Sequence, residues 1–273
     1  MTRDIDLTDR VAVVTGGGDG IGGATSSSLA AAGATVVIAD IDEALATARV
    51  GDITTTGGRA QMHVVDVRDA DAVDRFAAAV LAEHGAVDIL VNNVGHYLRS
   101  TPFLQSDAAH WDALHATNFS HVLTCSRAFL PAMVAAGRGA IVNVSSVEGL
   151  RGYPPDPVYG AYKAAVAHFT RCLALEVAPY GVRVNAIAPD VTQTTQVDYE
   201  AMVPEDLRDR WPLWVPLGRV GQPDDNSDVV LFLVSDLSRF ITGQVLPTDG
   251  GTVLAGGWFR TTKGRWTNRP RNP

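Results

Sequence analysis

A tyrosine and a lysine stand four residues apart in the chain, as Tyr159 and Lys163. On a helix, two residues with this spacing share one face and lie one turn apart. An unperturbed tyrosine has a pKa of about 10, so its phenol is a poor base at neutral pH. A neighbouring ammonium group favours the phenolate and lowers that pKa. The pair is therefore typical of a proton-transfer device, and Ser146 stands thirteen residues before Tyr159.

Short, β-branched apolar runs alternate with longer helical patterns along the 273 residues. Runs of this kind, without polar alternation, are typical of strands that are buried on both faces of a parallel sheet. The alternation predicts an α/β fold, a single-domain Rossmann-type doubly wound parallel sheet of about seven strands with helices on both faces. The predicted strands are 11–14, 35–39, 61–65, 87–91, 140–144, 182–187 and 244–247, and the predicted helices are 21–32, 41–50, 70–84, 107–136, 159–180 and 223–235.

A glycine-rich turn, residues 15–22, joins the first predicted strand to the first helix. Glycines let the backbone approach a pyrophosphate, and the following helix N-terminus offers free N–H groups. Asp40 ends the second strand, where a carboxylate accepts hydrogen bonds from the adenosine ribose and repels a 2′-phosphate. Asp19 adds a second negative charge, so the sequence predicts NAD as cofactor rather than NADP. The alternative for Asp40 is a helix N-cap.

The composition excludes several classes of protein. A net charge of −8 argues against a nucleic-acid binder. Only two cysteines are present, Cys125 and Cys172, which favours a reducing compartment over a disulfide framework. The N-terminus has no apolar signal core and no run reaches the length of a membrane span, so we expect a soluble, cytoplasmic protein without membrane partners. The seven histidines show no metal-ligand spacing, and we expect no metal.

The motifs, in this order, resemble those of the short-chain dehydrogenase/reductase family, and the resemblance spans about residues 7–251. The matching segments are Thr15-Gly16-x-x-x-Gly20-x-Gly22, Asp66-Val67, Asn92-Asn93-Val94-Gly95 with Val94 in place of the family's alanine, Asn118, Ser146, Tyr159, Lys163, Arg183 to Pro189, Ile241 to Gln244 and Asp249-Gly250-Gly251.

The resemblance implies a hydride transfer between a nicotinamide cofactor and a substrate carbon. Tyr159 would be the general acid/base, and Ser146 would hydrogen-bond the substrate oxygen. Lys163 would lower the pKa of Tyr159 and hold the nicotinamide ribose. Asn118 would hold a water that links Lys163 to solvent. The residues that the resemblance assigns to the cofactor are Thr15, Gly16, Gly18, Asp19, Gly20, Ile21, Asp40, Ile41, Asp66, Val67, Asn93, Val94, Gly95, Tyr159, Lys163, Pro189, Asp190 and Val191.

Three local alternatives stay open at the level of sequence. Ser145 neighbours Ser146, although the spacing to Tyr159 in the family pattern favours Ser146. Tyr162 neighbours Lys163, but adjacent helical residues point apart, which indicates packing for Tyr162. Asn118 is alternatively a residue that satisfies backbone groups in a helix.

One departure concerns the turn after the sixth strand, where the family has Pro-Gly and this chain has Pro189-Asp190. Asp190 lacks the backbone freedom of glycine and adds a carboxylate near the reacting ring. We expect it to shape the substrate pocket or to weaken cofactor placement.

Aromatic and apolar residues dominate the loops that follow the strands, which predicts a bulky, apolar secondary alcohol or ketone as substrate. The predicted substrate contacts are His96, Glu148, Tyr153, Trp211 and Trp214. The alternative for the tryptophans is a subunit interface or the packing of a lid. The domain prediction is a catalytic domain at 1–257, which includes a substrate loop or lid at 191–216, and a tail at 258–273.

The tail carries five cations and no acid, leaving −13 for residues 1–257. Its tryptophans predict packing on the same or a neighbouring subunit, against the alternative of a frayed end. The resemblance implies a homotetramer or homodimer joined through the helices at 107–136 and 159–180. The alternative functions are action on a 3-hydroxyacyl thioester or a sugar, and a dinucleotide sensor whose chemistry has decayed.

Overall fold

A computed structural model of the protein describes residues 5–261, 263 and 265–269. Seven parallel strands form one sheet in the order β3-β2-β1-β4-β5-β6-β7, which confirms the predicted fold. The strand order reverses between β1 and β4, the place where open α/β sheets bind ligands. The strands are β1 (Val11–Thr15), β2 (Thr35–Asp40), β3 (Arg59–Val64), β4 (Ile89–Asn92), β5 (Gly139–Val144), β6 (Val182–Pro189) and β7 (Val245–Thr248).

Eight helices accompany these strands in the described part of the chain. Helices α4 and α5 form one continuous helix that is interrupted by a π-helical turn, Ala116–Ser120. The helices are α1 (Gly20–Ala31), α2 (Glu43–Thr55), α3 (Ala70–His84), α4 (Ala108–His115), α5 (His121–Ala136), α6 (Pro157–Val177), α7 (Tyr199–Met202) and α8 (Pro223–Val234). Five 3-10 segments, Phe103–Gln105, Val147–Gly149, Ala178–Tyr180, Glu205–Leu213 and Asp236–Ser238, complete the set.

The start of α2 differs from the prediction, which placed it at residue 41. The side chain of Asp42 accepts hydrogen bonds from the N–H groups of Ala44 and Leu45, so α2 begins at Glu43. Asp42 is therefore the N-cap, and Asp40 is not. Asp156 caps α6 in the same way and places Tyr159 in its first turn.

Both faces of the sheet are buried, which explains why the strand sequences do not alternate. On one face Val13, Leu90 and Ile141 pack with side chains of α3, α5 and α6. On the other face Val14 and Val91 pack with side chains of α1, α2 and α8. Successive residues of a strand point to opposite faces, so each central strand needs apolar residues at every position.

The helix that runs from Ala108 to Ala136 is long and apolar enough to cross a membrane, by length and composition alone. In the fold it packs against α3 and α6. Core helices of globular proteins meet the same two criteria, so this helix is weak evidence for a membrane span.

The segment 191–216 contains α7 and a 3-10 stretch, Glu205–Leu213. It has its own apolar cluster, in which the ring of Trp211 meets Tyr199 edge-on with centroids 5.8 Å apart. Further along, the tail forms a short antiparallel pair, β8 (Phe259–Arg260) with β9 (Trp266–Thr267). The domain boundary at 257/258 stays a prediction, and the tail positions 262, 264 and 270–273 lie outside the described residues, as do residues 1–4 of the predicted catalytic domain.

Candidate functional site

A cavity of about 740 Å³ opens at the carboxyl ends of the sheet strands and collects most of the predicted site. It is lined by Ser146, Tyr159 and Lys163, by three predicted substrate residues and by much of the predicted cofactor set. The remaining predicted residues that line it are Gly16, Asp19, Gly20, Ile21, Asp40, Ile41, Asn93, Val94, Gly95, Pro189, Asp190, His96, Glu148 and Tyr153.

Thr15 and Gly18 support the cavity from behind its wall. The buried hydroxyl of Thr15 accepts hydrogen bonds from the N–H groups of Asn93 and Val94, at 3.0 and 3.3 Å. The N–H of Gly18 donates to the Asp40 carboxylate at 2.9 Å. Both residues therefore position cavity-lining neighbours without themselves lining the cavity.

Asp66 and Val67 do not line the cavity, and their predicted contact with the adenine ring stays a prediction. The Asp66 carboxylate is held by the guanidinium of Arg68, whose Nη2 lies 2.7 Å from Oδ2. Val67 is packed into the core. The local ion pair with Arg68 was not anticipated, and it engages the carboxylate two residues away along the chain.

Val191, Trp211 and Trp214 also lie away from the cavity wall. Val191 and Trp211 are buried in the cluster beneath the 191–216 segment, and Trp214 packs against that cluster. This packing favours the alternative interpretation of Trp211 and Trp214, the packing of a lid, and their contact with a substrate stays a prediction.

The glycine turn has the shape that a pyrophosphate requires. Gly16 and Gly20 adopt positive φ angles of +61° and +56°. A Cβ at Gly22 would lie 2.0 Å from the carbonyl oxygen of Gly16, so only glycine permits this close packing. Helix α1 begins at Gly20 with no side-chain cap, and Asp19 instead accepts a hydrogen bond from the hydroxyl of Thr195. These features fit a dinucleotide.

Asp40 lines the cavity without a cation beside it there. Its Oδ1 accepts from the N–H of Asp42 at 3.0 Å, and its Oδ2 accepts from Gly18. The nearest following cation, Arg49, donates from Nε to the carbonyl oxygen of Gly18 at 3.3 Å and pairs with Asp52. Arg49 is not a cavity residue, so no described guanidinium on α2 reaches the side of the cavity that Asp40 lines.

Ser146 and Tyr159 meet at the end of β5. The Ser146 hydroxyl accepts from the N–H of Glu148 at 3.2 Å and donates to the carbonyl oxygen of Pro189 at 3.4 Å, and it lies beside the phenol of Tyr159 on the cavity wall. Lys163 donates from Nζ to the carbonyl oxygen of Val144 at 3.0 Å, and Nζ lies 5.8 Å from the centroid of the Tyr159 ring.

Burial dominates the titration of this set. It raises the pKa of Tyr159 above the ordinary value, the charges of Glu148 and Asp190 add to the rise, and the nearby Ser146 hydroxyl opposes it. Burial also lowers the pKa of Lys163 from 10.5 to about 8. Lys163 was expected to lower the pKa of Tyr159. In the protein without a bound cofactor, desolvation outweighs that effect, because burial disfavours the charged form of both side chains.

Asn118 and Gly95 hold the loop above Lys163. Asn118 lies in the π-helical turn, and its amide accepts from the N–H of His96 at 3.0 Å and donates to the His96 carbonyl at 2.8 Å. Asn118 therefore satisfies backbone groups, as its alternative interpretation predicted. Its role in holding a water that links Lys163 to solvent stays a prediction. A Cβ on Gly95 would lie 2.6 Å from Lys163 Nζ, so only a glycine leaves room for that ammonium.

The neighbouring residues Ser145 and Tyr162 have other contacts. The hydroxyl of Ser145 donates to the carbonyl oxygen of Lys163 at 2.7 Å, which ties α6 to the end of β5. The ring of Tyr162 packs on His115, with centroids 5.3 Å apart. Both contacts support the choice of Ser146 and Tyr159 as the residues that face a substrate.

Asp190 forms an ion cluster that the sequence did not reveal. Its carboxylate accepts from Arg151 Nη2 at 2.8 Å and from the hydroxyl of Thr252. Arg151 also pairs with Glu148 at 2.9 Å, and the indole N–H of Trp258 donates to that Glu148 carboxylate. Asp190 does not adopt a positive φ angle. The aspartate that replaces the family's glycine at this turn therefore introduces no backbone strain of that kind.

The substrate side of the cavity is aromatic. The ring of Tyr153 contacts Tyr159 at 5.5 Å and Trp258 at 5.4 Å, centroid to centroid. Burial raises the pKa of Tyr153 to about 12, so its phenol stays protonated. His96 accepts the N–H of Leu98 through Nδ1, and Leu98 is held at a positive φ of 54°. Backbone strain of this kind is found at binding loops whose surroundings over-determine them.

His121 is a further buried group that the sequence analysis missed. Its ring is fully buried in α5, and burial, with the charge of Lys163 as a smaller cause, lowers its pKa to about 3. The ring is therefore neutral. Among the described residues no group of three His, Cys, Asp or Glu side chains is arranged to hold a metal ion.

Comparison with known proteins places this geometry among oxidoreductases. A family model described as enoyl-(acyl carrier protein) reductase matches residues 16–253. A cis-4-hydroxycyclohexanecarboxylate dehydrogenase of Sinomonas cyclohexanicum is 40% identical over 246 residues, which are 90% of this chain and 97% of the relative. A 3-oxoacyl-acyl-carrier-protein reductase of Thermotoga maritima is 36% identical over 248 residues, 91% and 99% of the two chains.

A solved structure extends the comparison to the three-dimensional fold. It is a 7α-hydroxysteroid dehydrogenase in complex with NADH and 7-oxoglycochenodeoxycholic acid, with a TM-score of 0.86 and 29% identity. The match covers 92% of this chain and 98% of that chain.

The buried ammonium of Lys163 predicts a pH-dependent stability. Below about pH 8 the lysine is charged in both the folded and the unfolded state, and its desolvation costs about 3 kcal/mol. As the pH rises from about 8 towards 10.5, the folded state loses its proton first, so the free energy of unfolding rises. We expect Lys163→Met to be more stable than the wild type at about pH 7, by about 1–3 kcal/mol, and to lack this rise.

The measurement is urea unfolding at several pH values between about 7 and 9.5, below the range in which the buried tyrosines titrate. The chain has one other lysine, the exposed Lys263, and Lys263→Met is the matched control. A wild-type stability that stays level between about pH 8 and 9.5, or a Lys163→Met variant with the wild-type profile, would contradict the assigned burial of the charge.

Proposed function

Because the chain belongs to the short-chain dehydrogenase/reductase family, we propose that it transfers a hydride between NAD(H) and a bulky, apolar secondary alcohol or ketone. The observation that carries the proposal is the convergence of Ser146, Tyr159 and Lys163 with a glycine turn and Asp40 on one cavity. The family's chemistry on CH–OH groups needs two parts. One is an acid/base that exchanges a proton with the substrate oxygen, and the other is a dinucleotide site beside it.

Each side chain has a definite role in the proposed oxidation. Ser146 donates a hydrogen bond to the substrate oxygen and steadies the charge that develops on it. Tyr159, as phenolate, removes the hydroxyl proton, and in the reverse direction it returns that proton to the ketone oxygen. The nicotinamide supplies the hydride acceptor or donor when it is bound. Lys163, whose ammonium group is held by the carbonyl oxygen of Val144, keeps a positive charge next to the ring of Tyr159.

The cofactor would be held by the residues that already line the cavity. Gly20 and Ile21 at the N-terminus of α1 fit the pyrophosphate, and Asp40 fits the adenosine ribose. The carboxylates of Asp40 and Asp19 favour NAD over NADP because each repels a 2′-phosphate. The predicted cofactor roles of Thr15, Gly18, Asp66, Val67 and Val191, which do not line the cavity, stay predictions.

A cyclic alcohol is the substrate that the surroundings favour. The ring of Tyr153 stands next to Tyr159, the ring of Trp258 packs on Tyr153, and both offer apolar surface to a ring-shaped molecule. Relatives named for a hydroxycyclohexanecarboxylate and a hydroxysteroid support this choice. The second candidate is a 3-oxoacyl thioester, which is favoured by the relatives named for that activity. The intact Ser146–Tyr159–Lys163 set speaks against a decayed sensor.

The homotetramer or homodimer and the cytoplasmic location stay predictions. Large apolar side chains are exposed near the ends of the two helices predicted to join subunits, among them Leu104 at 97% and Leu175 at 79% exposure. An interface over these helices would cover them, and molar mass in solution measures it directly.

The proposed reaction predicts that Tyr159→Phe keeps cofactor binding and loses turnover. A panel of secondary alcohols that includes cyclohexanols, steroids and 3-hydroxyacyl thioesters is assayed with NAD and NADP by nicotinamide absorbance. We expect turnover with cyclic alcohols and NAD, and a loss of a factor of about 100 or more in kcat for the variant. Tight NADH binding without turnover on any alcohol would instead favour the sensor.

The role of Asp40 predicts a change in cofactor preference. In Asp40→Ser the charge that binds the ribose and repels the 2′-phosphate is lost, so we expect NADH binding to weaken about tenfold or more. NADPH binding should weaken less or improve. Fluorescence titration with both cofactors measures the ratio. Asp42→Ser, which removes a nearby carboxylate that does not line the cavity, should leave that ratio unchanged. A wild type that prefers NADPH would refute the assignment.

A further inference from the structure

An arginine of the tail lines the cavity without an acidic partner among the described residues. The Nε of Arg269 is buried and has no hydrogen-bond partner there. Its Nη1 lies 3.4 Å from the sulfur of Met202, a weak acceptor. Within residues 5–261, 263 and 265–269 no carboxylate forms an ion pair with this guanidinium, although several carboxylates pair with other arginines.

A buried guanidinium N–H without an acceptor is costly, because it has lost its water and gained nothing in return. The remaining side of Arg269 faces the cavity, which Trp266, Thr267 and Asn268 also line. The missing acceptor is therefore expected from a molecule that enters the cavity. A guanidinium presents its N–H groups as a planar fork, which matches a carboxylate in a bidentate pair.

The tail holds Arg269 in place through several independent contacts. The Trp258 indole N–H donates to the buried Glu148 carboxylate at 3.1 Å. The strand β9 pairs with β8, and the hydroxyl of Thr267 donates to the Arg269 carbonyl at 3.0 Å. Thr267 itself is buried. The guanidinium is thus part of a fixed wall that is anchored beside Tyr153 and Tyr159.

The contact with Met202 places Arg269 beside α7 on the cavity wall. Burial raises the pKa of Tyr199, Asp190 adds to that rise, and the charge of Arg269 opposes it. Tyr199 and Met202, the first and last residues of α7, both line the cavity together with Val197. Arg269 therefore lies against α7, in the same cavity as Ser146 and Tyr159, whereas Asp40 and Ile41 line this cavity together with residues of the glycine turn.

The other cations near the site are already engaged or lie in solvent. Arg151 pairs with Glu148 and Asp190, and Lys163 donates to the Val144 carbonyl. In the tail, Lys263 and Arg265 are exposed. Arg269 is thus the described cavity cation with no anion or carbonyl acceptor of its own. The matched family model ends at residue 253, so this arginine is an addition outside the shared catalytic region.

We propose that Arg269 binds the carboxylate of a cyclic hydroxy acid or keto acid whose reacting oxygen lies at Ser146 and Tyr159. The position of the reacting oxygen rests on the proposed function. The contact between Arg269 and the carboxylate adds a second point at which the protein holds the substrate. Two-point attachment fixes which ring carbon faces Tyr159, so Arg269 determines substrate specificity and orientation.

The direct test is binding of a non-reactive acid. Cyclohexanecarboxylate is titrated by calorimetry into the NADH-loaded wild-type protein and the variants Arg269→Gln, Arg269→Lys and Arg265→Gln. We expect the dissociation constant to rise about tenfold to a hundredfold in Arg269→Gln and less in Arg269→Lys, which keeps the charge but loses the fork. The exposed control Arg265→Gln should stay within about twofold. The uncharged cyclohexanecarboxamide should bind wild type and Arg269→Gln equally.

Kinetics supply the second arm. With 4-hydroxycyclohexanecarboxylate as substrate, Arg269→Gln should lower kcat/KM by the same factor of about ten to a hundred, and with its methyl ester kcat/KM should not change. Equal acid binding by wild type and Arg269→Gln would overturn the proposal. A comparable loss of NADH affinity in Arg269→Gln would also overturn it, since the bound anion would then be a cofactor phosphate.

The two proposals fail in different ways. Acid binding that depends on Arg269, in a protein that turns over no alcohol, would support the carboxylate site and refute the proposed oxidoreductase function. Turnover of neutral cyclic alcohols with acid binding that ignores Arg269 would support the function and refute the carboxylate site.

Discussion

The burial of a phenol beside an ammonium is the constraint on which this site depends. Burial raises the pKa of Tyr159 and lowers that of Lys163, so desolvation works against the charge on each. The fold nevertheless buries Tyr159 and Lys163 away from water. Gly95 leaves space for the Lys163 ammonium, Val144 accepts its hydrogen bond, and Asp156 fixes the first turn of α6 around Tyr159.

A consequence is that the protein without a cofactor holds Tyr159, the proposed general base, in the protonated form. The carboxylates of Glu148 and Asp190 push the Tyr159 pKa further up, and Arg151 offsets part of their charge. Under the proposed function, an oxidised nicotinamide bound in the cavity would supply a positive charge that favours the phenolate of Tyr159. Base strength would then be coupled to occupancy of the cofactor site, which keeps the buried tyrosine inert until hydride transfer is possible.

The sequence predicts the parts of this structure that depend on local geometry. The strand–helix order, the glycine turn and the one-turn spacing of Tyr159 and Lys163 follow from periodicity and residue type, and the fold confirmed the sheet they imply. The capping of α2 by Asp42 instead of Asp40 shows how closely spaced carboxylates compete for one local role, which spacing alone does not decide.

The features that the sequence did not predict depend on partners far apart in the chain. Arg151 meets Asp190 across 39 residues, and Trp258 meets Glu148 across 110. No periodicity reports such pairings. The sequence predicted a substrate loop or lid at 191–216, but whether Trp211 faces a ligand or its own cluster is decided by packing around Tyr199. The sequence does not distinguish Arg269 from the other four tail cations, whereas the fold shows it lining the cavity and Lys263 and Arg265 exposed.

The most direct test of the central claim is the ionisation of Tyr159, followed through the near-ultraviolet absorbance of its phenolate with Tyr159→Phe as the blank. Titrations are run with and without saturating NAD. The account predicts a pKa above the ordinary value of about 10 in the free enzyme, and a pKa below that value in the NAD complex. The same titration curve with and without NAD would contradict it, because the cofactor would then not control the base.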